Sequence, residues 1–148
     1  MKSFIGPIIN SRPGIDTLPL RVGAGSIFAA HGAQKLFGWF GGYGLEGTAG
    51  WMASIGLEPG VLMAALAGSA EFFGGLLLIM GLLVRPAALA LAGTMIVAIV
   101  TVHLGNGLFM ANNGYEFSLA LLAISLGLVA RGAGSFSLDR ALRGTTAN

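Results

Sequence analysis

The sequence predicts an all-α integral membrane protein, a four-helix bundle with both termini on the cytoplasmic side (N-in/C-in). Of its 148 residues, 55% are hydrophobic and only 9% are charged, whereas a soluble domain carries about a quarter charged residues. Four apolar runs follow one another, each close to the roughly 20 residues that a membrane-spanning helix needs. The basic residues flank these runs mainly on one side. We therefore expect residues 1–148 to form a single membrane domain.

The first apolar run covers residues 18–40. The residues before it are polar and contain Lys2 and Arg12, so they are expected to form a tail and not a cleavable signal peptide. Arg21 lies near the cytoplasmic end of the run, where a long basic side chain reaches the lipid headgroups. Farther along, the run carries three more polar residues: His31, Gln34 and Lys35.

The second and third runs cover residues 60–84 and 86–104. Glu71 is the single charge of the second run, and His103 lies at the end of the third. Proline disfavours a helical conformation in the residue before it and suits the first turn of a helix. The sequence therefore predicts a break at Arg85–Pro86.

The fourth run covers residues 115–130 and is short for a full span. Glu116 lies at its start, and the polar tail from residue 131 is expected to leave the membrane. The predicted spans are therefore about 18–40, 60–84, 86–104 and 115–130. Seven of the eight basic residues then flank the cytoplasmic side, and Lys35 is the exception inside a span.

Helix geometry brings the polar residues of different spans to similar depths. At 1.5 Å per residue, His31 and Glu71 both lie roughly 14–16 Å below the outer end of their helices. Lys35 and Gln34 lie about one turn nearer the outer side, and His103 with Glu116 marks the outer ends of the last two spans. An ionisable group at mid-membrane costs at least ~2.5–3.5 kcal/mol. We therefore expect Glu71 to pair with His31 or Lys35.

Two stripes of small residues predict which helix faces point inward. One contains Ala64, Gly68, Glu71 and Gly75, and the other contains Glu116, Ala120, Ala123 and Gly127. Small residues let membrane helices approach closely, so both carboxylates are expected to point into the bundle. Large residues such as Leu78 are expected to face lipid.

Two interpretations of Glu71 and His31 stay open. The pair could exchange protons or bind a polar ligand, or it could serve only to hold the helices in register. Cysteine is absent, which excludes disulfides and thiolate chemistry by this chain, and no metal site is predicted. A haem held by His31 and His103 is disfavoured because their depths differ by about 13 Å. The net charge of +2 is scattered, so no nucleic acid is expected as a partner.

Four motifs occur in a consistent order along residues 21–142: HGAQKLFGWFGG from His31, AEFFGGLLLIMGL from Ala70, GYE from Gly114 and GAGSFSLD from Gly132. In these motifs the chain resembles the DoxX/DoxD family of small bacterial membrane proteins. It departs from the family pattern at Ala133, where proline is expected. The resemblance implies a multi-pass protein of the bacterial cytoplasmic (inner) membrane.

The resemblance also suggests a function. DoxD relatives are similar to subunits of a thiosulfate:quinone oxidoreductase, and DoxX relatives are similar to membrane partners of thiol-redox or superoxide-detoxifying proteins. On this basis we expect a quinone-linked redox subunit in which Glu71 and His31 are catalytic. The remaining polar residues would then shape the ligand site: Lys35, Gln34, His103 and Glu116.

The alternative is a non-catalytic scaffold that docks partner redox proteins. The expected partners are the lipid bilayer, a quinone and the proteins of a redox complex. The cofactor stays undetermined between a quinone and none, and self-association into a homo-oligomer stays open.

Overall fold

The computed structural model describes residues 14–145. Across that range the secondary structure is helical, with no strand. The α-helices are α1 (Leu18–Phe37), α2 (Gly44–Ser54), α3 (Gly60–Met80), α4 (Val84–Ala98), α5 (Glu116–Arg131) and α6 (Leu138–Thr145). A π-helical turn (Ile99–His103) and a 3-10 turn (Leu104–Asn106) extend α4. The all-α prediction is confirmed.

The long helices alternate in direction. Hydrogen bonds join the start of α1 to the segment after α5, from Thr17 Oγ1 to the Ala133 carbonyl (2.9 Å), and to the end of α3, from Arg21 to the Leu78 carbonyl (3.1 Å). We call this the α6 end of the molecule. The opposite end, where α1 finishes and α3 begins, carries α2 and is called the α2 end. α1 packs most extensively on α3, and α4 on α5.

Glycines let α1 and α3 pack almost backbone to backbone. A Cβ built on Gly75 would lie 2.5 Å from the Ala29 amide nitrogen, and one on Gly68 would lie 2.8 Å from the Leu36 side chain. The inward orientation predicted for this stripe is therefore confirmed. Leu78 is fully buried, so the expectation that it faces lipid was wrong. It follows Gly75 by three residues and so continues the same helix face.

The face of α5 was predicted wrongly. Its buried residues are Ser118, Leu121, Ser125 and Leu128. Gly127, from the predicted inward stripe, has no neighbouring atom within 4 Å of a built Cβ. α5 packs on α4 through large side chains, with Leu91, Leu121 and Leu128 in one core cluster. Tight backbone approach is not used there, so the small-residue rule selects the wrong face.

The turn between α3 and α4 comes earlier than Arg85–Pro86. α3 ends at Met80, Gly81 adopts the left-handed conformation with φ of 67°, and α4 begins at Val84. Pro86 lies within the first turn of α4, where its missing N–H leaves no hydrogen bond unmade. The break therefore follows from Gly81 and not from the proline.

Two helical segments among the described residues are long and apolar enough to cross a membrane: Gly60–Met80 and Val84–Asn106. α1, with 20 residues, lies within the first apolar run. α5, with 16 residues, covers the fourth run from Glu116 and extends one residue beyond it, to Arg131. α2 lies between the first and second predicted spans.

The α6 end is closed by buried polar contacts. Arg21 is only 1% exposed and donates to the carbonyls of Leu78 and Phe136. Asp139 is equally buried and accepts hydrogen bonds from the amides of Leu83 (2.8 Å) and Val84 (3.2 Å). The expectations that Arg21 reaches the headgroups and that the tail departs were therefore wrong. Carbonyls left free by the end of α3 provide Arg21 with acceptors inside the protein.

Candidate functional site

An ion pair joins α1 to α3. Lys35 Nζ lies 2.5 Å from Glu71 Oε2, and the side chains are 24% and 6% exposed. The close approach of the two helices at Gly68 brings the pair together, because a Cβ built there would lie 3.3 Å from the Lys35 Cβ. Of the two partners that the sequence allows for Glu71, the structure shows Lys35.

His31 lies one turn before Lys35 on the same face of α1. Its ring centroid is 6.2 Å from that of Phe117 on α5, at an interplanar angle of 50°. The imidazole makes no hydrogen bond to Lys35 or Glu71 among the described residues, although all three line one cavity. His31 is thus a neighbour of the ion pair and not part of it.

A cavity of about 1080 Å³ brings these groups together. It lies between α1, α2 and α3 on one side and α4 and α5 on the other. Its wall is mostly apolar, with residues such as Phe28, Met63, Leu66 and Leu121. Its ionisable wall residues include His31, Lys35, Glu71 and His103.

His103 enters the cavity from the π-helical turn that extends α4. Its Nδ1 lies 2.9 Å from the Asn113 carbonyl oxygen. A carbonyl can only accept, so Nδ1 carries the proton of this hydrogen bond and Nε2 of the neutral ring is an acceptor. π-helical turns often occur at functional sites. The fixed ring orientation makes His103 a candidate ligand-binding residue.

A second cavity, of about 500 Å³, lies at the α2 end. Gln34 and Thr48 contribute to its wall, and three residues line both cavities: Lys35, Tyr43 and Trp51. The Gln34 side chain donates to the Phe40 carbonyl (3.2 Å). Gln34 therefore lies in the neighbouring cavity, with its amide already engaged.

Glu116 is placed differently from the other predicted site residues. Its Oε1 accepts a hydrogen bond of 2.6 Å from the Met110 amide, and the Glu116 amide donates to the Leu108 carbonyl (2.9 Å). These contacts hold the loop before α5. Asn113 of this loop has a φ of 59° and supplies the carbonyl for His103.

Several wall residues escaped the sequence analysis. Ser118 is buried and lines the large cavity. Thr94 of α4 and Thr101 of the π-helical turn also line it. Hydroxyl residues within apolar runs are a weak signal, since their hydroxyls usually bond the preceding helical turn, as Thr101 does with Val97. Met52 of α2 had no signal because its segment lies between two predicted spans.

The arrangement can bind a molecule with a polar head and an apolar body. The ammonium and imidazole groups can donate hydrogen bonds, and the carboxylate and imidazole groups can accept protons. The apolar wall excludes water and strengthens these interactions. Proton exchange with a bound hydrogen-bonding ligand is the chemistry that this site supports.

The chain is similar to several known proteins. The family model described as DoxX matches residues 17–104. A protein of Bacillus subtilis named "Putative oxidoreductase CatD" is 38% identical over 114 residues, which is 77% of this chain and 78% of that protein. An uncharacterized protein of Haemophilus influenzae is 34% identical over 127 residues, covering 81% of this chain and 85% of its own length. No solved structure matches.

Proposed function

The chain belongs to the DoxX family, and from that premise we propose that it is the membrane subunit of a redox system and binds a lipid quinone in the large cavity. The family is membrane-associated, and two helices are apolar enough to span a bilayer. We extend this to four spans, from α1, α3, α4 and α5, in a bacterial inner membrane. Both termini would then be cytoplasmic.

The observation that carries the proposal is the ion pair in the wall of the apolar cavity. A quinone needs an apolar slot for its ring and tail, together with hydrogen-bonding groups at its carbonyl oxygens. The cavity has about 1080 Å³ of space with Lys35, Glu71 and two histidines in its wall. This donor set fits a quinone head.

The polar residues would have different roles, according to their contacts. Glu71 accepts and returns protons, and Lys35 balances its charge at 2.5 Å. His31 lines the same cavity as both and relays protons within it. The hydrogen bond to Asn113 orients His103 so that Nε2 can contact the ligand. A bound quinone would supply the two-electron, two-proton couple.

The electrons would come from a partner redox protein. This chain has no cysteine and so cannot form a dithiol of its own. The relative from Bacillus subtilis carries the name of an oxidoreductase, which favours a redox role for the family. We therefore propose that the chain works within a redox complex.

A scaffold function is the second candidate. Lys35 and Glu71 neutralise each other, and such a pair can serve only to hold α1 against α3. In that case the protein would dock redox or detoxification partners without chemistry of its own.

Quinone binding distinguishes the two functions. The full chain in lipid nanodiscs is incubated with menaquinone, and the bound fraction is extracted and quantified. We expect binding by the wild type and by Glu46→Gln, a control at an exposed carboxylate of α2. Glu71→Gln keeps the shape but loses the charge, and we expect it to bind about tenfold more weakly. Because His31 shares the site, Glu71→Gln/His31→Ala should bind little worse than the weaker single variant.

Either of two results would contradict the proposal. The wild type could bind no menaquinone above the level of empty nanodiscs. Alternatively, Glu71→Gln and His31→Ala could both bind it as the wild type does. After either result, the scaffold function would be the remaining candidate.

A further inference from the structure

α3 and α4 both contribute to the wall of the large cavity. Near their connecting turn they are in contact, because a Cβ built on Gly74 would lie 3.1 Å from the Leu91 side chain. Gly93, on another face of α4, lines the cavity and has no neighbouring atom within 4 Å of a built Cβ. A side chain at Gly93 would therefore enter open space at the cavity wall.

The large cavity reaches the surface between these two helices. Leu66 of α3 and Val97 of α4 both line the cavity and are 58% and 48% exposed. Ala90 and Gly93 are likewise exposed and part of the wall. A residue can line the cavity and also be exposed at the surface only where the cavity opens. We call this mouth, between Leu66, Gly93 and Val97, the α3–α4 opening.

With α3 and α4 as membrane spans, as proposed above, the α3–α4 opening faces the hydrocarbon of the membrane. Its two sides are the helical segments that are long and apolar enough to span a bilayer, Gly60–Met80 and Val84–Asn106. The residues at the opening carry no charge. A water-soluble ligand gains nothing from such a surface, whereas a hydrocarbon chain gains about 0.8 kcal/mol per buried methylene.

At the α6 end the protein interior is filled. Leu78, Val84, Leu91 and Leu128 are each fully buried. The cavity therefore has no exit through that end, and the exposed residues of its wall lie at the α3–α4 opening and towards the α2 end.

We propose that the ligand of this cavity enters sideways from the bilayer through the α3–α4 opening and leaves its hydrocarbon tail there. The inference rests on the proposed function and narrows its ligand to long-tailed membrane quinones. The head lies towards the ion pair, and the tail passes Gly93 into the lipid. Gly93 is then a specificity-determining position, because it keeps the opening wide enough for the tail.

Blocking the opening tests this inference. Gly93→Trp places a bulky side chain in it, and Gly127→Trp is the matched control, since Gly127 is a helical glycine on α5 with equally open surroundings outside the cavity wall. Each variant in nanodiscs is offered menaquinone or menadione, its tailless ring. We expect Gly93→Trp to bind menaquinone about tenfold more weakly, with menadione binding unchanged. Gly127→Trp should bind both as the wild type does.

The outcomes separate the two proposals. A wild type that binds neither quinone overturns the proposed function itself. A wild type that binds both, with Gly93→Trp either binding menaquinone normally or losing both ligands to the same extent, overturns only the α3–α4 opening.

A second measurement uses the wild-type chain. A menaquinone analogue with a photoreactive diazirine in its tail is irradiated in nanodiscs, and the labelled residues are mapped by mass spectrometry. We expect label at Leu66 and Val97 and little at Leu119 and Leu126, which are similarly exposed on α5. Labelling of all four residues to the same extent would show that the quinone tail moves freely in the bilayer. A phospholipid chain would then fill the opening in its place. That result would overturn the inference.

Discussion

Glu71 shows how one buried charge organises its surroundings. The carboxylate is 6% exposed and has the Lys35 ammonium at 2.5 Å. Removing two charges from water is costly, and their attraction repays the cost only while both are present. The pair is therefore a weak source of stability as a whole, but the loss of one partner is expensive.

A charge-pair series measures this asymmetry. Lys35→Met leaves the carboxylate without its counter-ion, and we expect it to lower the free energy of unfolding by about 3 kcal/mol. Lys35→Met/Glu71→Leu removes both charges and should recover most of the loss. Thermal unfolding in detergent, followed by tryptophan fluorescence, provides the measurement. If the double variant is as unstable as Lys35→Met, the ion pair contributes more than charge compensation, and this account is wrong.

Arg21 is a second buried charged residue, and its hydrogen-bond acceptors are backbone carbonyls. It donates to the carbonyls of Leu78 and Phe136, which belong to segments far apart in the sequence. Gly81 lies against this guanidinium, and a side chain there would collide with it. The shape of this turn and the position of Arg21 are therefore linked in the closing of the α6 end.

Among the elements, α1 and α3 form the closest contact. Gly25, Gly68 and Gly75 remove the side chains that would separate the two backbones. This contact sets the distance across which Lys35 meets Glu71. α5 follows a different principle, since leucines fill its interface with α4.

Two glycine substitutions compare these interfaces. Gly75→Leu must push α1 away from α3, because even a Cβ would lie 2.5 Å from the Ala29 amide. We expect a loss of about 3 kcal/mol, at the upper end for overpacking. Gly127→Leu, in open surroundings on α5, should change stability by less than about 0.5 kcal/mol. The measurement is the melting temperature of each variant in the same detergent. Equal melting temperatures for the two variants would contradict the close packing of α1 on α3.

At the scale of the whole molecule, the two ends have different characters. The α6 end is filled and closed by Arg21 and Asp139, whereas the α2 end contains both cavities. Exposed aromatic residues surround the α2 end, including Trp39, Phe40 and Tyr43. Such aromatic residues are typical of a membrane–water interface.

The predicted N-in/C-in orientation can be tested because the chain has no cysteine. Gly56→Cys places a single thiol after α2, and Arg140→Cys places one on α6; both positions are exposed. In intact cells, a membrane-impermeant maleimide should label Gly56→Cys at once and Arg140→Cys only after the inner membrane is opened. The reverse pattern would invert the orientation, and immediate labelling of both would contradict the three spans, an odd number, that we place between the two positions.

Part of the site could be predicted because it depends on local periodicity. Glu71 shares a stripe with Gly68 and Gly75, so its inward direction follows from helix geometry alone. The choice of Lys35 over His31 could not be predicted, since both lie on one face of α1, four residues apart. Only the height at which α1 packs on α3 selects between them.

The amino-acid sequence was sufficient to predict the helical, apolar character of this protein, its family and the polar residues available to a site. These properties depend on composition and short-range pattern, which act within one helix. Tertiary packing sets the partner of Glu71, the buried face of α5, the burial of Arg21 and the cavity between the helices. Each of these is a distance between segments remote in sequence, and such distances result from how side chains of all helices fill space together.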